Sequence, residues 1–341
     1  MDEKADFSDL IFIAVAAIII LYIIMLALTS AVIDPYLHAT NRYVNYFDFY
    51  ENNNKTNKIY FIGNSYTEYG VNASIIEHEI NYSYNVYNLG VGGDTPKHRI
   101  VELDSIVRSR PAIVVMDMTY GSFRNDDQFN YPQLESRFGL VTDRIKLDSI
   151  TKRLFNTTEL NCIQKNNLSL LAYKRQYIIP GSRLALANLL LSLKITNIAF
   201  LGASMPREFK YKSYDFPNLV VSNKTAEQYS KNGHYKLNGE DNNNIKTFRH
   251  MVDVLVENGI YVIIINMPLN PKYSMWFTNE TRENYHRIVT SSGCPYYDLE
   301  GLCVPMEFRD HGHSNVFGQQ NITRKMIEIL KMEMSNASKQ H

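Results

Sequence analysis

The sequence lacks several features that would assign it quickly to a functional class. Its 35 basic and 35 acidic residues cancel, so no excess of positive charge points to a nucleic-acid partner. Its three cysteines, Cys162, Cys294 and Cys303, include no Cys-x-x-Cys pair, so neither a zinc site nor a thioredoxin-type pair is indicated. Cys294 and Cys303 are close enough in sequence for a disulfide outside the cytoplasm, and free thiols fit equally well.

Charge is also absent from one long segment, Leu10 to Ile33. The segment is long enough to cross the hydrocarbon core of a bilayer as a helix, and a buried core helix of this length without any charge is not expected. Thr29-Ser30-Ala31 is a poor cleavage site, which favours a retained signal-anchor over a cleaved signal peptide. We therefore predict a transmembrane signal-anchor within residues 1–33, with contact to the membrane through residues 10–33.

The charges that flank this segment do not decide its orientation. Glycosylation sequons favour an extracytoplasmic body, because all of them follow the segment. The acceptor asparagines are Asn54, Asn72, Asn81, Asn156, Asn167, Asn223, Asn279, Asn321 and Asn336. The predicted location is the cell membrane, as a single-pass glycoprotein with its main domain outside the cytoplasm.

After the anchor, the pattern predicts a stalk at 34–57, a domain at 58–334 with an insertion or cap at about 119–244, and a tail at 335–341. Short apolar runs alternate with helical patterns, which indicates an α/β fold with a five-stranded parallel sheet between two helical layers. The predicted strands are Lys58 to Ile62, Tyr84 to Leu89, Ala112 to Met118, Tyr261 to Asn266 and Tyr296 to Leu299. The predicted helices are Val71 to Ile80, Pro96 to Arg108, Arg144 to Leu154, Arg183 to Leu193, Ile245 to Asn258, Asn279 to Thr290 and Val316 to Met334.

The first strand ends abruptly in Gly63-Asn64-Ser65. A serine on a tight turn between a strand and a helix is placed at the carboxyl edge of the sheet, as nucleophilic hydrolases require. Taken alone, this tripeptide also fits an ordinary turn or a helix cap.

Two further polar clusters follow later strands and are predicted to meet Ser65, because active groups collect at the carboxyl ends of parallel strands. One is Asn88-Leu89-Gly90-Val91-Gly92-Gly93-Asp94-Thr95, and the other is Arg309-Asp310-His311-Gly312-His313-Ser314-Asn315. In these three blocks the sequence resembles the SGNH (GDSL-like) hydrolases, whose flavodoxin-like three-layer fold is then expected here. The resemblance covers about residues 58–118 and 245–332.

The resemblance implies a role for each matching residue. Ser65 would be the nucleophile, His313 its base, and Asp310 the carboxylate that orients the imidazole. The backbone N–H groups of Ser65 and Gly93 would form the oxyanion hole. No cofactor and no metal ion is implied.

The third block of the family is altered in this chain. A Gly-x-Asn-Asp sequence is expected after the third strand, but Asp117-Met118-Thr119-Tyr120-Gly121 stands there. Thr119 and Tyr120, together with Asn64, are therefore the candidates for an additional oxyanion or substrate contact.

Some membrane-anchored members of the family also lack the third block. They include the D-alanyl transfer protein of teichoic-acid synthesis and alginate O-acetylation proteins, and the stretch from Asn266 to Tyr273 is similar to the first of these. This narrower resemblance implies esterase or O-acyltransferase chemistry on an acylated surface glycan or polymer, with a membrane acyl-transfer partner.

Other interpretations of these residues stay open. The fold could serve as a catalytically inactive module for glycan binding or assembly, and a cytoplasm-facing lipid esterase is a third hypothesis. His311, His313 and Asp310 could form a metal site, but no further ligand cluster supports one. Gly90-Val91-Gly92-Gly93 matches neither a dinucleotide-binding fingerprint nor a P-loop.

Overall fold

The computed structural model describes residues 7–28, 57–123, 147–168, 242–275 and 277–337. The chain divides into two compact units, Met1–Tyr46 with Leu168–Arg207, and Phe47–Asn167 with Glu208–His341. In the first unit the structure describes helix α1, Phe7–Leu28, which overlaps the predicted anchor. Across the described ranges, no helix meets both the length and the apolarity that a membrane crossing requires.

The second unit is built on a parallel sheet of five strands, as the sequence predicts. The strand order is β2-β1-β3-β4-β5, an order found in flavodoxin-like doubly wound sheets. Such an order gathers the loops at the carboxyl ends of β1 and β3. The strands are β1 Lys58–Ile62, β2 Asn85–Asn88, β3 Ile113–Asp117, β4 Tyr261–Asn266 and β5 Tyr296–Asp298.

Helices connect these strands. In chain order they are α2 Ser65–Gly70, α3 Ala73–Glu79, α4 Pro96–Arg99, α5 Leu103–Ser109, α6 Ser149–Arg153, α7 Thr157–Leu168, α8 Asn243–Glu257, α9 Pro271–Ser274, α10 Asn279–Thr290 and α11 Val316–Ala337. Short 3₁₀ turns lie at Ile100–Glu102, Tyr120–Phe123 and Pro305–Glu307.

The central strands are apolar on both faces because helices cover both. Ile59 and Phe61 of β1 share one buried cluster with Ile76 of α3 and Ile322 of α11. On the other side, α8 packs against β4 and buries Phe248. Strands covered on both faces keep their carboxyl ends as the accessible edge for polar groups.

Two predicted helices differ from the observed ones. The predicted Val71 to Ile80 helix is observed as the shorter α3, which Asn72 caps, and the additional helix α2, which Asn64 caps, precedes it. The predicted Pro96 to Arg108 helix is interrupted by the 3₁₀ turn Ile100–Glu102.

The predicted insertion at 119–244 falls largely outside the described residues, and so does the predicted helix Arg183 to Leu193. Within this range the structure contains α6, shorter than the predicted Arg144 to Leu154, and α7, which was not predicted.

The structure also shows the state of two cysteines and of one glycosylation sequon. Cys294 and Cys303 are both free thiols. The sequon asparagine Asn72 is 7% exposed, and its side chain caps α3 by accepting the N–H of Ile75. That sequon is therefore not an accessible glycosylation site in the folded chain.

Candidate active site

Ser65 is the first residue of α2 and directly follows the turn at the end of β1. The side chain of Asn64 accepts the N–H of Tyr66 at 2.8 Å, which starts the helix at Ser65. A methyl group on Gly63 would lie 2.5 Å from the Cβ of Asp117, so only glycine fits this turn. Close packing against the next strand thus fixes where the serine hydroxyl lies.

Ser65 and His313, which lie 248 positions apart in the chain, meet through their side chains. The distance from Ser65 Oγ to His313 Nε2 is 2.7 Å. The other ring nitrogen, His313 Nδ1, lies 2.7 Å from Asp310 Oδ2. The structure therefore brings the three predicted catalytic side chains into one hydrogen-bonded chain.

The Asp310 carboxylate has a second set of partners on its own loop. Its Oδ1 accepts the backbone N–H groups of Gly312 at 3.0 Å and of His313 at 2.8 Å. Burial opposes its charge, but the hydrogen bond and charge of His313 and the two N–H groups outweigh burial and hold the pKa of Asp310 well below its usual value. The carboxylate is thus kept ionised beside the imidazole.

Aromatic rings of α2 hold the imidazole of His313. The ring centroids of Tyr66 and Tyr69 lie 5.6 and 5.4 Å from that of His313, and the Tyr69 ring meets it edge-on. A side chain on Gly312 would overlap the Tyr66 ring, so glycine permits the loop to pack against α2. One short helix therefore carries Ser65 and also supports the imidazole of His313.

The glycine-rich loop after β2 lies beside the nucleophile. A methyl group on Gly92 would be 3.9 Å from Ser65 Cβ, and the Gly92 N–H donates to Glu68 Oε2 at 3.0 Å. Gly93 has a φ of +70°, a backbone conformation that favours glycine. The loop that carries the predicted oxyanion donor is thus adjacent to Ser65.

The remaining candidates for an oxyanion or substrate contact have other partners. Asn64 Nδ2 donates to Thr119 Oγ1 at 3.3 Å, and both residues are buried. Tyr120 donates its hydroxyl to Glu300 Oε2 at 2.6 Å and packs its ring on Phe277. These contacts give Asn64 and Thr119 a structural link between two loops, and they direct the Tyr120 hydroxyl to Glu300.

Sequence reasoning missed two buried charged residues behind this edge. Asp117 ends β3 and accepts the Thr67 hydroxyl at 2.7 Å, while its Oδ1 has no hydrogen-bond partner among the described residues. Burial raises the pKa of Asp117 to about 7. Arg99 ends α4 and is 2% exposed. An acidic residue that ends an apolar strand was a usable signal for Asp117, whereas Arg99 had no such signal.

The alternative interpretation of the loop 309–315, called the catalytic loop below, is a metal site, and the geometry does not support it. Among the described ranges, no group of three or more histidine, cysteine or acidic side chains is arranged to hold a metal ion. Both ring nitrogens of His313 already face Ser65 and Asp310. Burial lowers the pKa of the neighbouring His311, whose ring packs on Tyr273.

Neither a protein-family model nor a curated protein matches this chain. Solved structures that align with this chain include a Bacteroides fragilis protein named as an acylhydrolase, at 12% identity and a TM-score of 0.36, with 81% of this chain and 87% of that one covered. TesA is 11% identical with a TM-score of 0.38, covering 80% and 98%. A GDSL-like lipase from Bacteroides thetaiotaomicron is 11% identical with a TM-score of 0.39, covering 87% and 98%. The geometry of this chain, rather than these distant similarities, is the basis of the function proposed for it.

Proposed function

We propose that this protein is an SGNH-type serine hydrolase or O-acyltransferase that acts on ester bonds. The observation that carries the proposal is the chain of two 2.7 Å contacts from Ser65 Oγ through His313 to Asp310. A serine hydroxyl becomes a useful nucleophile when a neighbouring base takes its proton, and a base within hydrogen-bond reach can do so.

The proposed reaction begins when His313 Nε2 removes the proton of Ser65 as Oγ attacks the ester carbonyl. Asp310 stabilises the imidazolium and keeps Nδ1 protonated. The N–H groups of Ser65 and Gly93 stabilise the negative charge on the carbonyl oxygen. The proton then passes from His313 to the leaving alcohol, which leaves an acyl group on Ser65. Water or a sugar hydroxyl accepts that acyl group in the second half of the reaction.

A fluorophosphonate probe tests the nucleophile directly. We expect mass spectrometry to place the adduct on Ser65 and labelling to disappear in Ser65→Ala. Ser83→Ala is a matched control, because the Ser83 hydroxyl donates to its own helix end, at Ile80 O, rather than to a histidine. Labelling that persists without Ser65 would overturn the proposal.

A catalytically inactive module is the alternative function. It is favoured by the altered third block, where Thr119 bonds Asn64 and Tyr120 bonds Glu300, so that neither hydroxyl is committed to an oxyanion. A protein that folds stably but neither labels at Ser65 nor turns over a p-nitrophenyl ester would support this alternative.

The substrate class and the location are also proposals, and both rest on the sequence. We propose an acylated cell-surface glycan or polymer as substrate, with a membrane acyl-transfer partner, and attachment through residues 10–33. Capture of the acyl-enzyme with mass identification of the adduct tests the acyl group. Alkaline carbonate extraction tests attachment, since a chain anchored by a membrane helix stays in the membrane pellet whereas a peripheral one is released.

A further inference from the structure

Arg99 is an almost fully buried arginine behind the two loops that flank Ser65. Its Nε donates to Asp94 Oδ2 at 2.7 Å, and its Nη1 donates to Glu102 Oε2 at 3.0 Å. Its Nη2 donates to two backbone carbonyl oxygens, of Leu89 at 2.9 Å and of Gly63 at 3.3 Å. The fork of the guanidinium therefore has four acceptors on separate parts of the chain.

Most acceptors of Arg99 belong to the two loops next to Ser65. Leu89 and Asp94 are the residues on either side of the glycine-rich loop 90–93, and Gly63 belongs to the turn that presents Ser65. A backbone hydrogen bond from Val91 N to Gly63 O, at 3.0 Å, also joins the loop to the turn. The guanidinium thus fixes both sides of the space in which the oxyanion would develop.

The charges around Arg99 are enclosed, and one guanidinium faces two carboxylates. Asp94 and Glu102 are 7% and 0% exposed, and each pairs with the guanidinium, which offsets part of the cost of burying their charges. Lysine cannot replace this arrangement, because an ammonium is a compact charge that does not span acceptors set out for a planar fork. Arg99→Lys would therefore keep the charge and lose the geometry.

We propose that Arg99 is a positioning residue that sets the separation between the nucleophile turn and the loop 90–93, and thereby forms the oxyanion hole. This inference rests on the ester chemistry proposed above. Arg99 does not touch the reacting atoms; it acts through the backbone of Gly63 and Leu89.

Arg99→Lys tests the proposal in the full-length protein with a p-nitrophenyl ester and phenylboronic acid. Rates are expressed per Ser65 site labelled by the fluorophosphonate, so that unfolded protein does not count. We expect kcat per site to fall by about ten- to a hundredfold, with KM changed by less than about threefold. This is less than the roughly hundred- to thousandfold loss for a missing oxyanion donor, because the donor is displaced and not removed. The affinity for the boronate, which forms a tetrahedral adduct on the serine, should fall by the same factor as kcat/KM.

Arg108→Lys is the matched control, because Arg108 makes an exposed ion pair with Asp104 at 3.1 Å on the next helix. It should leave kcat and boronate affinity unchanged. If Arg99→Lys does not fold, Asp94→Asn provides the test, since it keeps the size of the side chain and removes only its charge.

A purely structural role would lower the number of labelled sites and leave the rate per site unchanged. Values per site within about twofold of the wild type for both kcat and boronate affinity would overturn the proposal for Arg99 alone. A wild-type protein that neither labels at Ser65 nor hydrolyses the ester would overturn the proposed function and this inference with it.

Discussion

The two sides of the candidate site are held in different ways, as two aspartates show. Asp117, behind the nucleophile turn, is 1% exposed and has a pKa raised to about 7 by burial. Asp310, on the catalytic loop, is partly exposed and has a pKa lowered by His313 and two backbone N–H groups, against the effect of burial. The nucleophile side is therefore assembled from enclosed ionisable groups, and the base side from local hydrogen bonds of partly exposed groups.

This difference predicts which substitutions affect catalysis alone and which affect stability as well. Changes on the nucleophile side disturb buried groups and should affect the folded state as well as the site. Changes on the base side remove partly exposed groups and should affect mainly the chemistry. The substitutions that follow are ordered by expected effect.

His313→Ala removes the base and should have the largest effect on activity. We expect ester turnover to fall by at least roughly ten-thousandfold, because Ser65 loses the group that takes its proton. The melting temperature should change by only a few degrees, as the side chain is partly exposed. His311→Ala, two residues earlier, is the control and should retain most of the activity. Comparable losses in both variants would contradict the assignment of the base.

Asp310→Asn should lower kcat by roughly a thousandfold or more, because an uncharged amide neither stabilises the imidazolium nor enforces the productive tautomer. Steady-state kinetics with a p-nitrophenyl ester measures the effect, and Asp104→Asn on an exposed helix face is the control. A decrease of less than about tenfold would show that the carboxylate is dispensable.

Asp117→Asn should change the pH dependence of stability. The raised pKa means that the contribution of Asp117 to stability is full below about pH 3.8 and is lost as the pH rises through about 7. The asparagine resembles the protonated form and should abolish that loss, which is on the order of a few kcal/mol. Urea unfolding of both proteins at pH 4 and pH 8 measures it.

The free energies of unfolding of wild type and Asp117→Asn should differ by different amounts at the two pH values. If the difference is the same at pH 4 and pH 8, Asp117 is not a buried carboxyl that stays protonated. Asp310 should behave in the opposite sense. Because its pKa is lowered, its contribution is present at neutral pH and is lost only as the pH falls below about 3.8.

Asn270→Ala should have the smallest effect on activity. The Asn270 side chain caps α9 and donates to the Asp310 carbonyl oxygen at 3.2 Å, so it supports the catalytic loop indirectly. We expect a loss of stability of about 1 kcal/mol and a decrease in kcat of a few-fold. Thr278→Ala removes a cap from α10 and is the control: it should cost similar stability without lowering kcat. A decrease in kcat in both variants would show that the effect comes from a general loss of stability and not from the contact with Asp310.

The sequence predicts the parts of the fold that depend on local patterns. The bounds of β4, Tyr261–Asn266, and of α10, Asn279–Thr290, are confirmed, because an apolar run and a capping threonine mark them. The start of α2 at Ser65 was missed, since Gly63-Asn64-Ser65 fits an ordinary turn as well as a helix cap. The backbone bond from the Glu68 N–H to the Asn64 carbonyl oxygen, at 3.1 Å, is the first bond of the helix and decides for the cap.

The residues of the candidate site also differ in whether the sequence predicts them. Ser65, Asp310 and His313 could be selected because their residue types and order carry a recognisable chemistry. Arg99 could not, since its role depends on carbonyl oxygens at Leu89 and Gly63 that any residue would supply. The domain boundaries, the attachment to a membrane and its orientation stay predictions.

The separation of 248 positions between nucleophile and base has a consequence for synthesis. A nascent chain on the ribosome exposes its serine long before residue 313 has been translated, and during that time the serine has no proton acceptor. In the proposed reaction, Ser65 gains its base only once His313 has been translated. A product of premature termination before residue 313 would then be inert toward esters.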